Sequence, residues 1–281
     1  MGGPGSVARG GRDPRRGHQA GAPARPHVRP GALGGIGDAV LGLSDLTETR
    51  VVPDPATECA ELLADAVASG GHIALTGGGT PRACYRQLAG MDLDWSGVTA
   101  WFGDERCVPP DHEDSNYRMA AEALLNSLPS ESDGGPAVHR IPGERGPNAG
   151  AEDYERELRE TLGEEMPRLD LVLLGLGPDA HVASLFPGQH TLRVQDRLAV
   201  GVEEAGFAPY VPRVSLTLPV INNARSVVFL IAGEEKSDAV ARAFGGGPSE
   251  DAPGSLVRPQ SGDLTILLDP AAASRLSSPP A

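Results

Sequence analysis

The chain is poor in cysteine: Cys59, Cys84 and Cys107 are the only three in 281 residues. None forms a C-x-x-C spacing, and three thiols are too few for a disulfide framework, which points to a reducing compartment. No run of about 18 apolar residues occurs, so no membrane span is expected. Basic residues are also scarce: 24 Lys and Arg stand against 38 Asp and Glu, a formal net charge of −14. That balance speaks against non-specific binding to nucleic acid, which needs a basic surface. It leaves room for a phosphorylated ligand, because a few local cations outweigh a distant negative field. No set of His, Cys and acidic residues has metal-ligand spacing, so neither a metal nor another cofactor is expected. His112-Glu113 lacks the partners that a metal site would need.

What remains is an ordinary globular composition, 40% apolar and 22% charged, enough to build a core. The first forty residues are the exception. They are rich in Gly, Pro, Ala and Arg, with six arginines against Asp13 and Asp38. Such a segment cannot bury enough apolar surface to offset its ordering entropy and reads as disordered. Arg15-Arg16 is a twin arginine, but no apolar h-region follows it, which excludes the secretory reading. The expectation is an inert tail, or a start codon set too early, ahead of a catalytic domain over 41–281.

Beyond the tail, strand-like and helix-like segments alternate. Thr49–Val52, His72–Thr76, Gly97–Phe102, Leu169–Leu174, Val227–Ile231 and Leu264–Leu268 read as strands. Helices are expected over Pro55–Ser69, Pro81–Leu88, Ser115–Leu128, Glu152–Leu162 and Lys236–Phe244. The alternation implies a single α/β domain with a doubly wound, mostly parallel Rossmann-like sheet and helices on both faces. In such sheets ligands bind beyond the carboxyl ends of the strands. Three strands run there into GGGTP, GDER and GLGPDAH, so these loops should converge on one crevice.

Each loop carries its own chemistry. Thr76–Thr80 opens a helix. Glycines let backbone N–H groups approach an anion, and a helix N-terminus adds about half a positive charge. The loop is neither G-x-G-x-x-G nor a Walker A motif, so a phosphate monoester suits it better than a nucleotide. A tight strand–helix turn with Thr80 as N-cap is an equal reading. Asp104, Glu105 and Arg106, consecutive at a strand end, point in different directions, so at most two can face the crevice; a solvated loop is the plainer alternative. In Gly175–His181, an imidazole follows Asp179 at an expected helix start. A carboxylate there can orient the ring and stabilise its cation, which favours a functional role over a structural one.

Together TGGGTP (76–81), WFGDERCVPPDHEDSNYRMA (101–120), DLVLLGLGPDAHVASLFPG (170–188), RVSLTLPVINNAR (213–225) and GEEK (233–236) resemble the 6-phosphogluconolactonase family. The likeness spans about Thr49 to Asp269. The glucosamine-6-phosphate deaminases share the glycine and acid–His loops, but typically carry DEY and AFNEPG where this chain has DER and ASLFPG. The resemblance implies hydrolysis of 6-phospho-D-glucono-1,5-lactone to 6-phospho-D-gluconate in the oxidative pentose phosphate pathway, by a cytoplasmic enzyme that is a monomer or homodimer. It makes His181 the base that activates water and Asp179 its neighbour, with Arg106 and Asp104 at the lactone end. Gly78, Gly79 and Thr80 become the phosphate loop, and Arg213 and Lys236 a cationic clamp. Two positions depart from the family pattern: Gly79 replaces a common Ser, and Ala180 replaces the usual Gly. If position 180 needs a positive φ, Ala there costs about 1 kcal/mol.

The chemistry implied is direct. Water attacks the lactone carbonyl as neutral His181 takes its proton; Arg106 and loop N–H groups meet the oxyanion. Protonated His181 then returns the proton to the departing ring oxygen. A δ-lactone is reactive enough to open without a covalent nucleophile, and G-x-S-x-G is absent. The alternatives are an amino-sugar-phosphate deaminase, distinguished by ammonia release, and a non-catalytic sugar-phosphate binder, whose affinity would not depend on His181.

Overall fold

Ten strands and six α-helices follow one another in the computed structural model, which describes residues 1–3, 47–163 and 165–276. The expected disordered tail lies outside the described residues except for its first three. The strands are β1 (Thr47–Val51), β2 (Gly71–Leu75), β3 (Val98–Phe102), β4 (Asp104–Arg106), β5 (Ala137–Val138), β6 (Leu171–Leu174), β7 (Ala199–Val202), β8 (Arg213–Leu216), β9 (Ser226–Ile231) and β10 (Asp263–Leu268). The helices are α1 (Pro55–Ser69), α2 (Gly79–Leu88), α3 (Asn116–Ala123), α4 (Pro147–Leu162), α5 (Leu218–Asn223) and α6 (Ser237–Phe244).

Seven strands form a wholly parallel sheet in the order β1-β10-β9-β6-β2-β3-β5. Its central members are apolar along their length because helices cover the sheet; all four residues of β6 are buried. The chain winds outward from β2 through β3 to β5, then returns to β6 and winds the other way through β9. The loops after β2 and β6 therefore part at the sheet's switch point, where open α/β sheets hold their ligands. Asp54 starts α1, accepting from the N–H groups of Ala56 and Thr57, with Pro55 at the first helical position.

Three differences from the sequence reading matter for the site. First, GDER is not a solvated loop: β4, β8 and β7 make a separate antiparallel sheet. Three successive charges carry no apolar signal, so only the pairing with β8 makes them a strand. Gly103 is the joint between the sheets. Its N–H donates to the Leu75 carbonyl of β2 and its carbonyl accepts from Leu216 N of β8, both at 2.8 Å. Second, α3 ends at Ala123, with a single 3₁₀ turn at Leu125–Ser127 rather than helix to Leu128. Ser115 does cap α3, accepting from Arg118 N at 3.1 Å. Third, α4 starts at Pro147 rather than Glu152.

Two buried tyrosines close strands that lead into loops. The Tyr85 hydroxyl accepts from Thr76 N and donates to Thr76 O, both at 2.9 Å. Tyr154 does the same for Phe102, again at 2.9 Å. Where neighbouring strands diverge, these backbone groups would otherwise be buried unpaired. Tyr85→Phe should therefore lower stability by about 2–4 kcal/mol in denaturant unfolding, the cost of orphaning two backbone groups. An unchanged denaturation midpoint would show that Thr76 finds other partners.

Candidate active site

A cleft of about 230 Å³ opens between the loops that follow β2 and β6. Thr76, Gly77 and Gly78 form one side, and Gly175 through Pro178 with His181 the other. Asp104 and Arg106 of β4 and Arg213 of β8 supply a charged wall; Lys236 stands near the β9 end. The three loops expected to converge do so. Gly79 and Thr80, expected in the phosphate loop, are not among the lining residues. The N-cap of α2 is Gly78, with φ 118°, and not Thr80, which lies inside the helix. No side chain caps this helix, so its first N–H groups are left for an acceptor from the cleft.

His181 does not begin a helix. The chain after β6 forms irregular turns through Gly188, with Ala180 at φ 69° and Ala183 at φ 48°. Position 180 is thus the left-handed site that favours glycine, and the alanine accepts a cost of about 1 kcal/mol there. The imidazole Nδ1 lies 2.5 Å from Asp179 Oδ1, which also accepts from the His181 N–H at 3.2 Å. Burial opposes ionisation of Asp179, but the hydrogen bond from His181 and the imidazole's charge hold its carboxyl below the usual range. In a neutral imidazole the carboxylate favours the proton on Nδ1, and Nε2 is then the acceptor. Asp179 stands behind the imidazole rather than on the cleft wall. The Phe186 ring packs 4.6 Å from the imidazole and the Phe207 ring 6.0 Å from it.

Gly177 is needed here for close approach. A Cβ on it would overlap the His181 ring and reach 2.7 Å from Asp179 Oδ1. Gly177→Ala should displace the pair and lower kcat by at least tenfold, while the melting temperature moves by a few degrees. Steady-state kinetics beside thermal unfolding checks this; wild-type kcat would show that the loop can move aside.

Alternation along β4 sorts its three charges. Asp104 and Arg106 face the cleft, and Glu105 points away to the start of α3, so two of the three reach the site. Glu105 accepts from Ser115 Oγ, Asn116 N and Tyr117 N, all within 2.9 Å. Burial nonetheless raises its carboxyl above the usual range. Asp104 is buried, accepting from Ser184 Oγ at 2.6 Å and Asn116 Nδ2 at 3.2 Å.

Arg106 and Arg213 are directly opposed across the β4–β8 pair. Like charges so placed repel. Burial lowers the Arg213 pKa below its usual range, with neighbouring Arg106 adding to the effect and Asp104 opposing it. Both guanidiniums keep a buried Nε–H with no partner in the structure. Their other donors are partly occupied: Arg106 donates to the Asp114 carbonyl at 2.6 Å. Arg213 donates to the carbonyls of Phe207 and Pro209 at 3.0 and 2.8 Å. Lys236 donates to the Leu176 carbonyl at 2.8 Å, and burial lowers its pKa as well. Three cations lining one cleft, Arg213 buried and Arg106 and Lys236 half-buried, make a receptor for an anion in an acidic protein.

Cys107 follows Arg106 but is an inert thiol, since burial pushes it up to about 12. Among the described residues no group of three or more His, Cys, Asp and Glu side chains is placed to hold a metal ion. No helix among them is long and apolar enough to cross a membrane. Sequence reasoning missed Asn116, Phe207 and Ala208 as lining residues. The DSNY motif carried a signal for Asn116; nothing local marked Phe207.

The family model for glucosamine-6-phosphate isomerases and 6-phosphogluconolactonase matches residues 47–266, and the chain belongs to that family. A 6-phosphogluconolactonase of Nostoc sp. is 42% identical over 215 residues, 73% of this chain and 84% of the relative. One of Homo sapiens is 38% identical over 182 residues, 64% of this chain and 69% of the relative. The solved 6-phosphogluconolactonase from Trypanosoma cruzi has a TM-score of 0.73 at 28% identity, covering 84% of this chain and 98% of its own. A monomeric glucosamine-6-phosphate deaminase, at 22% identity and TM-score 0.68 over 82% of this chain and 99% of its own, shares the fold.

Proposed function

We propose that this protein hydrolyses 6-phospho-D-glucono-1,5-lactone to 6-phospho-D-gluconate, with His181 as the general base. The observation that carries the reading is the pairing of His181 with Asp179 in the same cleft as the opposed Arg106 and Arg213. A base with a free Nε2 acts on water, and the two cations meet negative charge. Water attacks the lactone carbonyl while Nε2 takes its proton, and Asp179 stabilises the imidazolium so formed. Arg106, whose side chain lines the cleft, meets the oxyanion. When the ring C–O bond breaks, the imidazolium returns the proton to the departing oxygen, and the base is regenerated.

Lys236, Arg213 and the backbone of Gly78, which caps α2 at its positive end, receive the phosphate. Asp104, held by Ser184 and Asn116, fixes the wall on which Arg106 and Arg213 stand. The catalytic domain is residues 41–281. The enzyme works in the cytoplasm as a monomer or homodimer and needs no metal or other cofactor. The test is acid release from freshly generated lactone, corrected for spontaneous hydrolysis. A parallel arm with glucosamine 6-phosphate measures ammonia. Lactone-dependent acid above the spontaneous rate, with no ammonia, supports the reading. Ammonia release without enzymatic acid release overturns it in favour of the deaminase.

A further inference from the structure

We infer that Phe207 is a specificity-determining residue: its ring is the apolar platform against which the carbon face of the lactone ring lies. The inference rests on the lactonase reading of the cleft. Of the five phenylalanines, Phe102, Phe186 and Phe229 are buried and Phe244 is half-buried, whereas Phe207 is 41% exposed. It is also the one phenylalanine that lines the cleft. An aromatic ring left so open gains little from folding, because its apolar area stays in water until something covers it.

Two contacts hold the segment that presents the ring. Arg213, 3% exposed, donates to the Phe207 carbonyl at 3.0 Å and to the Pro209 carbonyl at 2.8 Å, gripping the chain at Phe207 and just beyond it. On the other side Gly206 lies against the Phe186 ring; a Cβ there would come within 3.0 to 3.2 Å of three Phe186 atoms. Phe186 in turn packs on the imidazole at 4.6 Å, with the Arg213 guanidinium 5.7 Å from the Phe186 ring centroid. A buried cation, a glycine and a core aromatic thus fix where an exposed ring stands. Its centroid is 6.0 Å from that of His181. A molecule reacting at Nε2 therefore lies within reach of the Phe207 ring.

The same cleft also has a polar lining, to which Asp104, Arg106 and Asn116 contribute. A cyclic sugar lactone has the matching asymmetry, with hydroxyl and carbonyl oxygens at its edge and C–H groups across its face. An aromatic face takes the second while hydrogen-bonding groups take the first. The platform acts on the ring and not on the phosphate, and this sets its signature apart from that of the cations.

The experiment measures kcat and KM for the phosphorylated lactone and for unphosphorylated glucono-1,5-lactone, in the wild type, Phe207→Ala and Phe207→Trp. Phe207→Ala should raise KM by roughly five- to tenfold for both lactones alike, with kcat within about threefold. Phe207→Trp should restore most of the loss on both. The melting temperature of Phe207→Ala should stay near the wild-type value, since the ring is not a core residue. Unchanged KM on both lactones overturns the inference. So does a rise confined to the phosphorylated one, which would mean that the ring acts through Arg213. A rise that Phe207→Trp does not restore also overturns it, as does a change in kcat alone. If the wild type itself hydrolyses neither lactone, it is the lactonase reading that fails.

Discussion

His181→Ala should lower kcat by about 10²–10⁴-fold while leaving the affinity for 6-phosphogluconate within a few-fold of wild type. The magnitude is that of one positioned general base. The specificity of the effect follows from the geometry. Asp179 holds Nδ1 at 2.5 Å, so the other nitrogen is the one free to take a proton. His181 is not among the groups that face the phosphate, so ground-state binding should survive its loss. Asp179→Asn should cost less than His181→Ala, because the ring remains but loses its orienting charge and the stabilisation of its cation. Acid that protonates the imidazole should abolish the wild-type rate. The Asp179 carboxylate is held below its usual range in the fold, so its pairing with His181 stabilises the protein fully above that range, and the stabilisation is lost as pH falls from there through the lower value in the fold. A His181→Ala enzyme with wild-type kcat, or a rate that does not fall in acid, would remove His181 from the chemistry.

Lys236→Ala should raise KM for the phosphorylated lactone about ten- to a hundredfold, the loss of one charge-assisted hydrogen bond worth roughly 1.5–3 kcal/mol. It should leave unphosphorylated gluconolactone unaffected, since that substrate lacks the group the ammonium holds. Arg213→Ala should show the same bias toward the phosphorylated substrate with an added loss on both. Arg213 also grips the carbonyls of Phe207 and Pro209, and truncating it frees that segment. Arg213→Lys keeps the charge but not the fork that reaches two carbonyls at once, and should fall between the two. Calorimetry with 6-phosphogluconate is the direct check. Wild-type dissociation constants for both alanine variants would show that the cations serve the fold and not the ligand.

The chain by itself determined the parallel sheet. The apolar run Leu171–Leu174 is buried because helices cover its strand, and Pro55 and Ser115 mark helix starts by local chemistry alone. It also determined that the polar and glycine-rich segments sit at the carboxyl ends of strands, and hence where the cleft lies. The positive φ at Ala180 is not marked by the alanine itself; only the family resemblance, with glycine usual there, points to it. Tertiary structure decided the rest. Asp104–Arg106 becomes a strand only because β8 lies beside it, and no local preference favours three charges in a row. That pairing sets Arg106 opposite Arg213 and turns Glu105 away to hold α3, an outcome of register rather than of composition. His181 sits in a loop rather than at a helix start because the turns at Ala180 and Ala183 fold the chain back on itself. Phe207 is held at the cleft by tertiary contacts: Arg213 bonds to its carbonyl, and Gly206 lies against the Phe186 ring. Local sequence encodes which elements form; which side chains meet depends on contacts between residues far apart in the chain, and these exist only once the two sheets have packed.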